Sequence, residues 1–122
     1  MAINDFDTIA DFCIEQKVDW VIPGSEDPLV NGIHDFFLND NALKDIPVIG
    51  PQQEAAKLEG SKEYAKEFMS RHHIPTAAYQ SFTKDNLDAG YAFLDTLNAP
   101  YVLKADGLAA GKGVLILNDL NE

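Results

Sequence analysis

The strongest constraint on the fold of this chain is the alternation of helical and strand-like apolar patterns in residues 1–50. The first helical pattern follows the capping candidates Asn4 and Asp5 and comprises Phe6, Ile9, Ala10, Cys13 and Ile14. Residues 18–22 are nearly all apolar, which is typical of a strand covered on both faces of a parallel sheet. A second helical pattern and the short strand 47–49 follow. Strand, helix and strand predict a βαβ unit, part of a doubly wound parallel sheet in an α/β fold.

The second helical pattern begins at an acidic turn, residues 23–28. Asp27 is predicted to be its N-cap, with Pro28 at the first helical position. Its single apolar stripe, which ends at residues 39–41, comprises Leu29, Val30, Ile33, Phe36 and Phe37. Open α/β sheets bind ligands at the carboxyl ends of their strands, where this turn lies. Glu26 is therefore a candidate to bind sugar hydroxyls or an amine, although a carboxylate that favours the helix dipole explains it equally well.

The remainder of the chain follows a different pattern. Residues 52–58 predict a short helix that breaks at Gly60, and Ser61 is expected to cap a second helix that ends near residue 74. A strand at 78–82, a helix at 86–97 and a hairpin of strands 101–105 and 113–117 come next. We expect a domain boundary near residue 75, between an α/β domain with linker helices (1–74) and an incomplete α+β unit (75–122). Each unit has too few strands to bury a core, so the sequence is interpreted as an internal segment of a longer protein.

Charge and composition exclude several classes of function. The 9 basic and 20 acidic residues give a net charge of −11, whereas a nucleic-acid-binding protein needs a basic face. No apolar run approaches the ~20 residues that span a bilayer, and no secretory signal is recognisable. The single cysteine, Cys13, excludes an internal disulfide and a cysteine-cluster metal site. These features are consistent with a cytoplasmic protein that binds small molecules.

The most informative segment is the glycine-rich loop of residues 106–113, DGLAAGKG. It is not a phosphate loop of the Walker type, because only three residues separate Gly107 from Gly111 and Gly113 replaces the hydroxyl residue. Strand-forming residues follow it rather than a helix. A glycine-rich turn between two antiparallel strands can instead fold over phosphates as a flap. A long flexible hairpin turn is the structural alternative.

Three lysines could supply positive charge to such a flap. Lys112 lies within the loop, and strand alternation places Lys104 on one face with Val102 and Asp106. Lys104 needs an anionic partner there, or it protects a sheet edge. Lys62 opposes the dipole at a helix N-terminus, a conflict that a bound phosphate would remove. A solvated surface lysine is its alternative interpretation.

Four segments together resemble a known family. They are LEGSK at 58–62, KEFM at 66–69, IPTA at 74–77 and VLKADGLAAGKGV at 102–114. The sequence is similar to the phosphoribosylamine–glycine ligases, ATP-grasp enzymes of purine biosynthesis. One departure is Ser25, where the family usually has proline.

This resemblance implies ligation of glycine to 5-phosphoribosylamine through glycyl phosphate, with release of ADP and phosphate. It implies ATP contacts from Lys62, Lys104, Gly107, Gly111, Lys112 and Gly113. It also places Glu26 near the ribosylamine, and residues 75–122 at the start of an ATP-grasp lid subdomain. No catalytic residue is assigned. Magnesium ligands are expected downstream of residue 122, so the segment alone is expected to be inactive.

Other functions remain open from the residues themselves. Another ATP-grasp carboxylate–amine ligase or carboxylase would share these lysines and glycines. A non-catalytic nucleotide-binding module, or an α/β interaction domain in which the loop is only a turn, would also fit. The expected partners are small-molecule substrates and the remaining parts of the enzyme, without nucleic acid or membrane.

Overall fold

A computed structural model describes residues 1–109 and 111–121, which form two compact units, Met1–Ser61 and Lys62–Glu122. The chain is mixed α/β, as the alternating patterns predict. The division falls earlier in the chain than the boundary expected near residue 75. None of the helices in the described ranges has the length and apolar character needed to cross a bilayer.

The first unit contains four helices, which are α1 Phe6–Glu15, α2 Glu26–Val30, α3 Ile33–Asn39 and α4 Gln53–Gly60. Of the two capping candidates of α1, Asp5 and not Asn4 is the N-cap. Its carboxylate accepts hydrogen bonds from the Thr8 hydroxyl at 2.7 Å and the Thr8 N–H at 3.3 Å. These bonds hold the pKa of Asp5 below its ordinary value, and the bond from the Thr8 hydroxyl has the larger effect.

The helix predicted from Asp27 onward is wrong in two respects. It begins one residue earlier, at Glu26 with Ser25 as N-cap, and the Asp27 carboxylate instead accepts from the side chains of Asn4 and Asn31. It also breaks into α2 and α3 at Gly32, which has a φ of +93°. A left-handed glycine ends a helix, and the apolar stripe continues across the break because both helices face the same core.

The strands predicted at 18–22 and 47–49 are also wrong in extent. They are reduced to a single parallel bridge between Val21 and Val48, with hydrogen bonds from the Val21 N–H to Pro47 O and from the Ile49 N–H to Val21 O. The parallel direction agrees with the βαβ prediction. The segment 18–22 is also not covered on both faces as predicted, because Ile22 is 64% exposed.

The core of the first unit lies between α1, α3 and the bridged segments. Its buried members are Ala10, Cys13, Ile33, Phe37, Leu43 and Val48. Phe37 is 1% exposed, and the rings of Phe6 and Phe36 pack at its edge with centroids 5.7 Å apart. This core fixes the carboxyl end of the 18–22 segment, from which the acidic turn emerges.

The second unit contains α5 Lys62–Arg71, α6 Leu87–Leu94, and the strands β1 Tyr101–Lys104 and β2 Val114–Leu117. The predicted hairpin is confirmed, with an antiparallel register that pairs Tyr101 with Leu117 and Lys104 with Val114. The predicted strand at 78–82 is wrong, because no described segment pairs with it. The chain just before it is held instead by Lys66 of α5, whose Nζ donates to Thr76 Oγ1 at 2.6 Å and Ala77 O at 3.1 Å.

We expect Phe37→Ala to lower the free energy of unfolding of the chain by about 3–5 kcal/mol, because it empties a fully buried site. Leu38→Ala is the matched control: this neighbour is 46% exposed, so its truncation should cost less than about 1 kcal/mol. Urea denaturation of both variants measures the difference. Equal losses would contradict the assignment of the core.

Candidate functional site

The glycine-rich loop closes the hairpin of the second unit. The Ala105 N–H donates to Gly113 O at 2.7 Å, which extends the ladder by one bond beyond β1 and β2. Gly107 and Gly111 both have left-handed backbones, with φ of +79° and +76°. A Cβ on either would meet no atom within 4 Å, so these two positions need glycine for their backbone conformation.

Gly113 is required for a different reason. A Cβ placed on it would lie 2.7 Å from the Ala109 Cβ and 3.2 Å from the Ala105 Cβ. The loop therefore folds back on its own base, where the Lys112 N–H donates to Ala109 O at 2.8 Å. The remaining member of the loop, Ala110, lies outside the described residues. This arrangement is a formed turn with open space around two of its glycines.

The loop is joined to the start of α5. The Asp106 Oδ1 accepts the backbone N–H groups of Lys62 at 2.7 Å and Glu63 at 3.1 Å. The Lys62 Nζ in turn donates to Gly107 O at 2.7 Å. Lys62 and the glycine loop, two separate parts of the sequence prediction, are thus brought together.

Asp106 is the residue that sequence reasoning missed. Asp106 was expected to lie on the same strand face as Lys104. The strand β1 ends at Lys104, and the Asp106 side chain bonds to α5 instead. Its carboxylate also removes the conflict that was predicted at Lys62, because it places a negative charge at that helix N-terminus. No local pattern indicates this contact, because its partner lies 44 residues away in the chain.

Lys104 and Lys112 are both exposed near the two ends of the loop. Lys104 lies opposite Val114 in the hairpin. Within residues 1–109 and 111–121, neither ammonium group has an ion-pair partner. Together with Lys62, they place three cations on or beside the glycine-rich loop, within a chain whose net charge is −11. That local balance suits an anionic ligand.

Glu26 belongs to the other compact unit, where it is exposed and begins α2. Its neighbour Ser25 has an extended backbone and caps the helix without a side-chain hydrogen bond. The acidic turn is therefore open toward solvent in its own unit. Its proposed substrate role stays a prediction.

Two other titratable groups of the described residues, Cys13 and His34, are engaged within the first unit. Burial raises the pKa of the Cys13 thiol, which keeps it protonated inside the core. The His34 Nδ1 lies 2.7 Å from Gly50 O, so that ring is engaged with backbone. In the part of the chain that the structure describes, no three His, Cys, Asp or Glu side chains are grouped as metal ligands.

Two models of known protein families match this chain, and together they show its family. Residues 60–122 match the family described as phosphoribosylglycinamide synthetase, ATP-grasp (A) domain, and residues 1–59 match the N domain of the same synthetase. The chain belongs to the phosphoribosylglycinamide synthetase family. The resemblance found in the sequence motifs is thereby confirmed.

Individual proteins with similar sequences support the assignment to this synthetase family. A phosphoribosylamine–glycine ligase from Escherichia coli O6:H1 is 44% identical over 122 residues, which is all of this chain and 27% of the relative. A second from Allochromatium vinosum is 46% identical over 120 residues, 98% of this chain and again 27% of the relative. The chain thus spans about a quarter of the length of these curated relatives.

Two solved structures are similar to this chain, one a member of the same family and one similar in fold. The crystal structure of phosphoribosylamine–glycine ligase from Thermotoga maritima is 42% identical with a TM-score of 0.57, and the match covers 81% of this chain and 22% of that one. The biotin carboxylase domain of a Hydrogenobacter thermophilus 2-oxoglutarate carboxylase, solved with MgADP and bicarbonate, has a TM-score of 0.71 at 24% identity. That match covers 93% of this chain and 24% of the carboxylase chain, and it shows a shared fold.

We expect Gly113→Ala to disrupt the base of the loop, because the added methyl group would collide with Ala109. Gly24→Ala is the matched control, since a Cβ there meets nothing within 4 Å. Amide hydrogen exchange at Ala105, whose N–H is bonded to Gly113 O, should accelerate in the first variant alone. Unchanged exchange in Gly113→Ala would contradict the packing described for this loop.

Proposed function

We propose that this chain is the part of an ATP-dependent ligase that presents a glycine-rich flap to ATP. In the proposed reaction glycine and 5-phosphoribosylamine are joined through glycyl phosphate, and ADP and phosphate are released. The observation that carries the proposal is an alignment over the whole chain with enzymes named for this ligation. The E. coli relative is 44% identical to the chain over these 122 residues. The lysines and glycines of the flap lie within the matched region.

The chemistry proposed for the flap is positioning and charge neutralisation. Carboxylate activation transfers the terminal phosphoryl group of ATP to a glycine oxygen, so negative charge must be held in place while one P–O bond forms and another breaks. Backbone N–H groups at Gly107, Gly111 and Gly113 can point toward phosphate oxygens. The ammonium groups of Lys62, Lys104 and Lys112 can neutralise them. Such a site needs no acid–base pair.

The other substrate and the metal would be held elsewhere. Glu26 is proposed to accept hydrogen bonds from the ribosylamine. ATP-grasp ligation uses magnesium, and among the described residues no three His, Cys, Asp or Glu side chains are grouped as its ligands. We propose, from the family resemblance, that the magnesium ligands lie downstream of residue 122, and we derive no step through the metal.

The proposed assembly completes the two units. We propose that residues 18–22 and 47–49 are neighbouring strands of a doubly wound parallel sheet in the whole enzyme, within a domain of residues 1–74. Residues 75–122 would begin the small lid subdomain. We propose a cytosolic location, where the buried Cys13, the one cysteine of this chain, would stay reduced.

A second candidate is another ATP-grasp enzyme that activates a carboxylate. The TM-score of 0.71 to a biotin carboxylase domain favours it, although at 24% identity that likeness concerns the fold. Assays with glycine against bicarbonate and other small carboxylates distinguish the two candidates. ATP turnover that depends on glycine and on 5-phosphoribosylamine supports the first.

The proposal is tested in a host ligase, defined as the E. coli relative with its matched segment replaced by residues 1–122 of this chain. We expect the purified host ligase to form ADP and glycinamide ribonucleotide only when both substrates are present. Restored growth without purines, in a strain that lacks its own ligase, gives an independent readout. A folded host ligase without product would contradict the proposal.

Lys104→Met in the host ligase should lower kcat/KM for ATP by about 100-fold, because it removes a cation proposed to contact phosphate. Lys84→Met is the matched control, as this lysine of the same unit is exposed and lies outside the loop. Its activity should match the unmodified host. Full activity in Lys104→Met would remove this residue from the proposed site.

A further inference from the structure

The carboxylate of Asp106 joins two segments that are distant in the chain. It lies 44 residues from Lys62 and 43 from Glu63, the two residues whose backbone N–H groups it accepts. A side chain that caps a helix ordinarily lies just before it in the sequence. Asp106 belongs to the glycine loop, and it accepts the first two N–H groups of α5. These two bonds tie the start of the helix to the loop.

The bonds to Asp106 are favourable for two physical reasons. An ionised carboxylate makes shorter and stronger hydrogen bonds than a neutral acceptor, in keeping with the 2.7 Å distance to the Lys62 N–H. The same negative charge complements the positive end of the helix dipole. It also offsets the Lys62 side chain, whose cation would otherwise oppose that dipole.

The next loop residue binds the same lysine through its side chain. The Lys62 Nζ donates to Gly107 O at 2.7 Å, and Gly107 presents that carbonyl from a left-handed backbone. Asp106 and Gly107 thus hold Lys62 at both its backbone and its ammonium group. An ammonium group carries three donors, and Gly107 accepts one of them. The others can reach an oxygen of a ligand bound against the loop.

We propose that Asp106 is a positioning residue for ATP, which ties the start of α5 to the glycine loop and so delivers the Lys62 ammonium group to the phosphates. The inference rests on the proposed function of the same site. It assigns Asp106 no contact with the nucleotide. Loss of the carboxylate should release the helix from the loop and weaken ATP binding selectively.

The first test uses Asp106→Ala and Asp106→Asn in the host ligase. Without an acceptor, Asp106→Ala should raise KM for ATP about fivefold to tenfold and leave KM for glycine within about twofold. Asp106→Asn keeps an acceptor oxygen at the same position, so its KM for ATP should stay within about threefold of that of the unmodified host. Asp5→Ala is the matched control, because it removes the cap of the other 10-residue helix and should not change KM for ATP.

The second test is a double-mutant cycle with Lys62→Ala. If Asp106 acts through Lys62, the effect of Asp106→Ala on KM for ATP should shrink toward onefold in the Lys62→Ala background. Independent, multiplying effects would overturn the inference. An unchanged KM for ATP in Asp106→Ala, or an equal rise for glycine, would overturn it as well.

A third variant keeps the inference testable if Asp106→Ala does not fold. Asp106→Gln carries the same amide as Asp106→Asn but displaces the oxygen by one methylene group. We expect Asp106→Gln to raise KM for ATP and Asp106→Asn not to, and equal values would overturn the inference. An unmodified host ligase that makes no product would count against the proposed function, whereas an active host with unaffected variants counts against Asp106 alone.

Discussion

The hydrogen bonds of the Asp106 carboxylate are the interaction on which the second unit depends. Without them, the first N–H groups of α5 would lack their partner and the Lys62 cation would oppose the helix dipole. With them, the helix, its lysine and the glycine loop form one connected group. The loop can then be open at Gly107 and Gly111 and still have a defined base, because Gly113 packs closely against Ala109. A loop that is fixed at its base and open at two of its glycines is suited to bind a flexible anion such as a polyphosphate.

The first unit illustrates the opposite situation, in which much apolar surface lacks a neighbour. Phe37 and Leu43 are buried, yet Trp20, Ile22 and Ile49 are each about half exposed or more. These three lie in or beside the segments that meet at the Val21–Val48 bridge. Apolar side chains in strand-like segments are stabilised by the strands next to them. The chain corresponds to 27% of its E. coli relative, and the proposed doubly wound sheet would supply those strands from the rest of the enzyme.

The sequence predicted what depends on local patterns. The helix at Phe6–Glu15, its Asp5 cap and the antiparallel hairpin were predictable because periodicity and capping chemistry are local. The break at Gly32 was missed, because the apolar stripe continues across it and does not reveal the left-handed backbone of that glycine. The strand expected at 78–82 failed because strand formation depends on a partner that periodicity does not reveal. Asp106 was misplaced for the same reason: its partner is α5, 44 residues away. The sequence motifs were sufficient to predict the family, but the contacts of Asp106 and Lys62 that organise the site were visible only in the structure.

The central claim, that this loop and Lys62 exist to hold the phosphates of ATP, is tested most directly by a nucleotide-bound structure of the host ligase. The decisive measurement is the distance from the Lys62 Nζ and the loop N–H groups to the nearest phosphate oxygen. The account predicts hydrogen-bond distances of about 2.7–3.2 Å to both, with Asp106 still bonded to the start of α5. A polyphosphate bound away from residues 106–113, with Lys62 directed elsewhere, would contradict it.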